Sequence, residues 1–194
     1  MAENDLSRIS QCAVIGGSAG SLKVLLPMLA ALDARLAFPV VIVLHRKNDV
    51  STLEQLLKER CPLPVKEAED KEDLRCGTVY LAPAGYHLLI ENDRSLSLDA
   101  SEKVLWSRPS IDVTFQSAAE AFGPGLLAVL LSGANSDGAS GLEYIRYHGG
   151  RIIIQDPRNA EMSAMPLAAL ARLQPDLLLP DYAIASAINH FLAH

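Results

Sequence analysis

"AVIGGSAGSLKVLLPMLAAL", residues 13–32, sets the reading of the whole chain. A short apolar run ends in a turn of small residues, and an amphipathic segment follows with Leu22, Leu25, Leu26, Leu29 and Leu32 on one face. This is a strand over 12–17, a tight turn, and a helix over 21–32 with Pro27 placed to kink it. Two chemistries use such a turn. A glycine-rich loop can cradle a phosphate at a helix N-terminus. A serine on a strand-to-helix turn can be a nucleophile. Gly16-x-Ser18-x-Gly20 has the spacing of a nucleophile elbow, whose glycines allow a sharp turn and keep Cβ atoms clear of an incoming carbonyl. Ser18 reads equally well as the cap of the helix that follows. The phosphate cradle fits less well. Glycines at 16, 17 and 20 do not make G-x-G-x-x-G, no lysine completes a Walker loop, and Asp33 ends a helix rather than a second strand. A nucleotide-binding module stays as the alternative class.

Outward from this unit the alternation repeats. "FPVVIVL" (38–44) reads as a buried strand and "NDVSTLEQLLKERC" (48–61) as a capped helix. "GTVYLAPAGYHLLIENDRSLSLD" (77–99) holds short strands between Pro-Ala-Gly and Asn-Asp turns, a hairpin-rich insertion attached to the sheet. "SRPSIDVTFQSAAEAFG" (107–123) opens with Pro109 and Ser110 and continues as a helix. "LLAVLLSG" (126–133) is a strand, "SDGASGLEYIRYHGG" (136–150) a helix ending at Gly149-Gly150, and "RIIIQD" (151–156) a strand. Residues 164–172 and 181–192 read as terminal helices. The order implies a three-layer α/β fold, a mostly parallel sheet with helices on both faces.

The bulk properties agree. A chain of 194 residues, 49% hydrophobic and 21% charged, suits one domain over 1–194 with a substantial core. The net charge of −6 and the lack of a Lys/Arg cluster argue against nucleic acid. The apolar runs are strand-sized and fall short of the ~20 residues of a membrane span. "MAENDLSRISQC" (1–12) lacks a signal-peptide core, so the cytoplasm is the expected location. Cys12, Cys61 and Cys76 have no CxxC spacing and read as reduced structural thiols. His45, His87, His148, His190 and His194 show no zinc spacing, so no metal and no cofactor is expected.

In a parallel sheet, ligands sit beyond the carboxyl ends of the strands. Three polar residues fall there: Ser18, His45 and Asp137. Each has a plain structural reading, as a cap or a hydrogen-bonded histidine. Together they supply a nucleophile, a base to take its proton, and a carboxylate to fix the base's tautomer. The order Ser…His…Asp differs from the Ser…Asp/Glu…His order of α/β-hydrolases.

"VIGGSAGS", "VIVLH", "RPSIDVTFQSAA", "LLSGANSDGASGL" and "SAMPLAAL" resemble, in this order, the catalytic domain of the chemotaxis protein-glutamate methylesterase (CheB) family. The resemblance runs from about Gln11 to Leu192. It implies a Rossmann-like sheet and a serine esterase that hydrolyses glutamate γ-methyl esters on the cytoplasmic helices of chemoreceptors. Methanol is released, and some members also deamidate receptor glutamines. The family's triad falls on Ser18, His45 and Asp137, and its backbone oxyanion donors on Ala19 and Ala134. Arg108 and Asp112 match the family's "RPSxDV" stretch and are candidate substrate contacts, as is Arg46 beside Lys47 for acidic receptor helices. His87 matches a family histidine and reads as structural.

There are departures. Leu44 replaces the Gln before the histidine, Arg46-Lys47 replace the Met-Pro after it, and Gly133-Ala134-Asn135 replaces Gly-Met-Gly. Asn135 tolerates positive φ, which would preserve that turn. These changes leave room for a related ester hydrolase or amidase outside chemotaxis, or a degraded module that only binds helices. Full-length members carry an N-terminal receiver domain under phosphorelay control. With about ten residues before the first strand, the resemblance implies a stand-alone esterase or an excised domain.

Overall fold

The computed structural model describes residues 11–46 and 52–191. Lys47, the expected cap of the second helix at 48–51, Leu192 and His194 lie outside them. The chain runs β1 (Cys12–Gly17), α1 (Leu22–Ala30), β2 (Val40–Leu44), α2 (Leu53–Arg60), β3 (Val65–Glu67), β4 (Glu72–Asp73), β5 (Val79–Leu81), β6 (His87–Ile90) and β7 (Ser95–Asp99). It continues α3 (Ile111–Phe122), β8 (Leu126–Leu130), α4 (Ala139–Tyr147), β9 (Arg151–Gln155), α5 (Ala164–Leu170), β10 (Leu177–Leu179) and α6 (Asp181–Asn189).

Seven strands form one parallel sheet in the order β10-β9-β8-β1-β2-β5-β3. Its central strands are buried on both faces, as their unbroken apolar runs require. Period two then sorts the side chains. Ala13, Ile15, Val40, Ile42, Leu127 and Val129 face α1, α2 and α6, whereas Val14, Val41, Val43, Ala128 and Leu130 face α3, α4 and α5. Helix α1 turns Val24, Leu25, Met28 and Leu29 inward, and Leu22, expected on the buried face, lies 41% exposed. Pro27 sits within α1 on its solvent side, and the helix continues to Ala30.

The middle segment divides differently from its expected form. β5 is part of the parallel sheet, whereas β6 and β7 form a hairpin that pairs with β4 in a separate antiparallel sheet. Leu88, Ile90 and Leu96 of that sheet pack into the α3 core.

The sheet also fixes where a ligand can enter. After β1 the chain crosses to the α1 face, and after β8 it crosses to the α4 face. Neighbouring strands whose connections leave to opposite faces open a crevice at their carboxyl ends. Gly16 lies at this junction, and a Cβ there would sit 2.5 Å from Cγ2 of Ile111, a fully buried β-branched side chain. Gly16→Ala is expected to cost about 1–3 kcal/mol by overpacking, read as a lower midpoint in urea unfolding. Gly17 is equally tight, with Ser21 Cβ 2.7 Å away. These two glycines therefore serve packing inside the fold rather than clearance for an incoming carbonyl. Gly20, at φ 79, is the residue of this loop that turns in the left-handed region.

Candidate active site

Register brings two of the expected residues side by side. Gly17 pairs with Leu44, and the His45 N–H donates to the Gly17 carbonyl at 3.2 Å. Ser18 and His45 are therefore the residues that follow directly on the ends of two adjacent parallel strands. On the other side of β1, the Ser18 N–H donates to the Ser132 carbonyl at 2.9 Å. Ser18 is thus held by its backbone to the end of β8 and to Ser21 at the start of α1.

The Ser18 side chain does not cap α1. The N-cap position is Ser21, whose hydroxyl donates back to the Ser18 carbonyl at 2.6 Å. Ser18 Oγ makes no hydrogen bond among the described residues, to His45 included. The N–H groups of Ala19 and Ala134 also lack a partner among the described residues, and both residues are exposed. Two free backbone donors therefore lie in the loops that flank Ser18.

Asp137 is fully buried and holds His45 at the far ring nitrogen, with Nε2 2.7 Å from Oδ2. His45 Nδ1 has no hydrogen-bond partner among the described residues. A carboxylate at Nε2 favours the tautomer with the proton there, which leaves the Nδ1 lone pair open. Asp137 also accepts from the Ser110 hydroxyl (2.9 Å), the Ile111 N–H (2.7 Å), the Asp112 N–H (3.0 Å) and the Gly138 N–H (3.0 Å). Burial pushes its carboxyl up, but the bonds from His45, Asp112 and Ile111 outweigh that, and the net displacement is downward.

Those bonds identify the helix that Asp137 caps. The place of Asp137 in the chain, directly ahead of α4, is where a cap of that helix would stand. Instead it satisfies the first N–H groups of α3, whose own N-cap, Ser110, spends its hydroxyl on Asp137. The service is reciprocal. Asp112, in the first turn of α3, accepts the N–H of Gly141 in α4 at 2.6 Å. The helices come this close because Gly141 has no side chain: a Cβ there would sit 2.6 Å from Phe115 Cβ. Asp112, expected at the substrate, is only 7% exposed and is committed to this contact.

Burial and the neighbouring Asp137 charge push the Asp112 carboxyl up to about 6, against the pull of the Gly141 N–H. A native-state value above the unfolded one means the folded protein binds the extra proton, so Asp112 makes stability fall as pH rises between about 4 and 6. Asp112→Asn keeps an acceptor for Gly141 and removes that titration. It should gain on wild type by on the order of 1–3 kcal/mol between pH 4 and 7, measured by denaturant unfolding across that range.

Further residues that the sequence did not flag hold the site. Gln155 Oε1 accepts the Ser132 N–H at 2.9 Å, and the Ser132 hydroxyl donates to the Ala19 carbonyl at 2.8 Å. The signal was a polar residue ending the apolar strand "RIIIQ". His87 is buried and accepts the Ser110 N–H at Nδ1 (3.1 Å), so its Nε2–H donates to the Glu102 carbonyl (2.9 Å). Asn135 preserves its turn by accepting the Asp137 N–H at 3.1 Å rather than by positive φ, which falls to Gly138 at 92°.

His45 also lines an open cavity of about 610 Å³ with Arg46, Gly85, Lys103, Trp106 and Arg108. Arg46 pairs with Glu67 and donates to the Ala82 carbonyl, and Arg108 donates to the carbonyls of Ala100 and Ser101. No group of three or more His, Cys, Asp or Glu among the described residues is placed to hold a metal. No helix among them is long and apolar enough to cross a membrane.

Known proteins share this fold. The family model described as CheB methylesterase matches residues 13–188. The crystal structure of the Thermotoga maritima CheB methylesterase catalytic domain superposes with a TM-score of 0.88 at 31% identity, covering 94% of this chain and 99% of that one. A Leptospira interrogans protein, named as a candidate protein-glutamate methylesterase/protein-glutamine glutaminase, is 42% identical over 171 residues, 87% of this chain and 88% of its own. The Thermotoga maritima protein-glutamate methylesterase/protein-glutamine glutaminase is 33% identical over 175 residues, and the matched part is 51% of its length. With the family model spanning nearly all of the described sheet and both helical layers, the chain belongs to the CheB methylesterase family.

Proposed function

We propose that this chain hydrolyses glutamate γ-methyl esters on the cytoplasmic helices of chemoreceptors, releases methanol, and deamidates glutamine at the same positions. The reading rests on one observation above the others. His45 is held through Nε2 by a buried carboxylate, its Nδ1 has no partner among the described residues, and its backbone follows on β2 as that of Ser18 follows on the paired strand β1.

In this mechanism His45 Nδ1 takes the Ser18 proton as Oγ attacks the ester carbonyl. Asp137 stabilises the imidazolium that forms. The N–H groups of Ala19 and Ala134 receive the developing oxyanion, and their freedom from intramolecular bonds suits that task. The imidazolium then protonates the ester oxygen as its bond to the acyl carbon breaks, methanol leaves, and water, activated by the same ring, hydrolyses the acyl-enzyme. An amide in place of the ester follows the same course, with ammonia leaving. Ser18 and His45 lack a mutual hydrogen bond in the free enzyme, a bond that catalytic pairs commonly tighten only with substrate present.

The test is methanol release from methylated receptor membranes incubated with the purified protein. No release above the enzyme-free control, from membranes that a known esterase of this family does demethylate, would overturn the assignment.

A further inference from the structure

The turn at the mouth of the cavity has no part in this chemistry, and its construction calls for a reason. Val104 and Ser107 exchange both backbone bonds, at 3.1 and 2.8 Å, around Leu105 and Trp106. Leu105 has φ 45 and Trp106 φ 65. Two successive positive φ values are the signature of a turn that normally takes Asn-Gly. Bulky residues strain it. Side-chain packing does little to offset that strain, because Trp106 is 93% exposed and Leu105 47% exposed. Strained backbone of this kind clusters at ligand clamps and active sites, and exposed apolar residues mark interaction surfaces.

The surroundings narrow the partner. Lys103 makes no ion pair among the described residues, and Arg108 hydrogen-bonds only to carbonyl oxygens, with the Asp99 carboxylate near enough to feel its charge. Two positive charges therefore flank His45 and Trp106 on a chain whose net charge is −6. A small ester inside the cavity would cover only the part of Trp106 that lines it and leave most of the ring in water. Only a ligand that extends beyond the rim covers it.

We propose that the 104–107 turn is a substrate-docking tip: Trp106 and Leu105 pack on an apolar side chain near the reacting glutamyl group of a protein, while Lys103 and Arg108 face its acidic neighbours. The site thereby selects acidic, amphipathic segments. This rests on the esterase reading above and adds to it the determinant of substrate choice. An exposed aromatic ringed by charge is the usual composition of a binding hot spot.

Trp106 is the sole tryptophan of the chain, so its emission reports on this turn alone. The probe is a synthetic acidic amphipathic peptide with one central glutamate γ-methyl ester, titrated into the Ser18→Ala protein. Emission should shift to the blue and saturate, binding should weaken with salt, and Lys103→Glu should weaken it about tenfold. In kinetics, Trp106→Ala should lower kcat/KM for the peptide relative to that for p-nitrophenyl acetate by about tenfold, with Trp106→Phe restoring most of the ratio. An unchanged ratio would overturn the proposal. So would peptide binding, followed by anisotropy of a labelled peptide, that leaves Trp106 emission unmoved. So would the absence of binding. If wild type cleaves neither ester yet the peptide still shifts the emission, the esterase reading fails and the docking tip stands.

Discussion

Ser18→Ala should lower methanol release from methylated receptor membranes by on the order of 10⁵-fold and leave the unfolding midpoint almost where it was. The first half follows from chemistry. Without Oγ no acyl-enzyme forms, and the open Nδ1 of His45 has nothing to deprotonate but water. What remains is the contribution of bound, oriented substrate and the two free backbone donors.

The second half separates this role from helix capping. Replacing a serine that caps a helix typically costs ~1 kcal/mol. Ser18 Oγ makes no hydrogen bond among the described residues, and the residue is anchored by its N–H to Ser132 and by its carbonyl to Ser21. Alanine keeps both of those bonds. The expected stability change is therefore within about 0.5 kcal/mol. Methanol release within tenfold of wild type would remove Ser18 from the mechanism. A stability loss near the capping value would show that the hydroxyl has a structural task as well.

The placement of Ser18, His45 and Asp137 was legible because it needs only topology. Apolar runs alternating with amphipathic segments imply parallel strands, and their carboxyl ends collect on one edge. Contacts between distant segments were not legible. Asp112 occupies the same motif as Arg108, yet only the close approach of α3 and α4 at Gly141 shows that its carboxylate turns into the fold. Gly16 and Gly17 read naturally as clearance for a substrate, since the side chains that crowd them arrive from residue 111 and from the next turn. Strands β3 and β10 went unread for another reason. Each has three residues, too few for periodicity to register, and β10 leaves Leu177 and Leu178 over 40% exposed at the sheet edge.

Asp137→Asn should affect activity and stability together, because one carboxylate serves both. Its Oδ2 meets His45 Nε2 and the Ile111 N–H, and its Oδ1 meets the Ser110 hydroxyl and the N–H groups of Asp112 and Gly138. Every one of these partners can donate, so an amide NH₂ faces a donor in either orientation. Placed at the Oδ2 position, it forces His45 to accept at Nε2 and carry its proton on Nδ1, where the Ser18 proton must go. A misplaced tautomer of this kind costs about 10⁴ in kcat. The Ile111 N–H is then buried without a partner, and the α3 N-terminus loses its negative charge, together about 2–4 kcal/mol. The pH dependence distinguishes this electrostatic account from a steric one. Asp137 titrates below its ordinary 3.8 when folded, so the stability it confers is complete above that value and lost as pH falls through the lower, native one. The gap between wild type and variant in urea unfolding should therefore narrow in acid. A gap that keeps its size down to pH values where wild type begins to unfold would mean that the amide only fits badly, and that the charge on Asp137 does little for the fold.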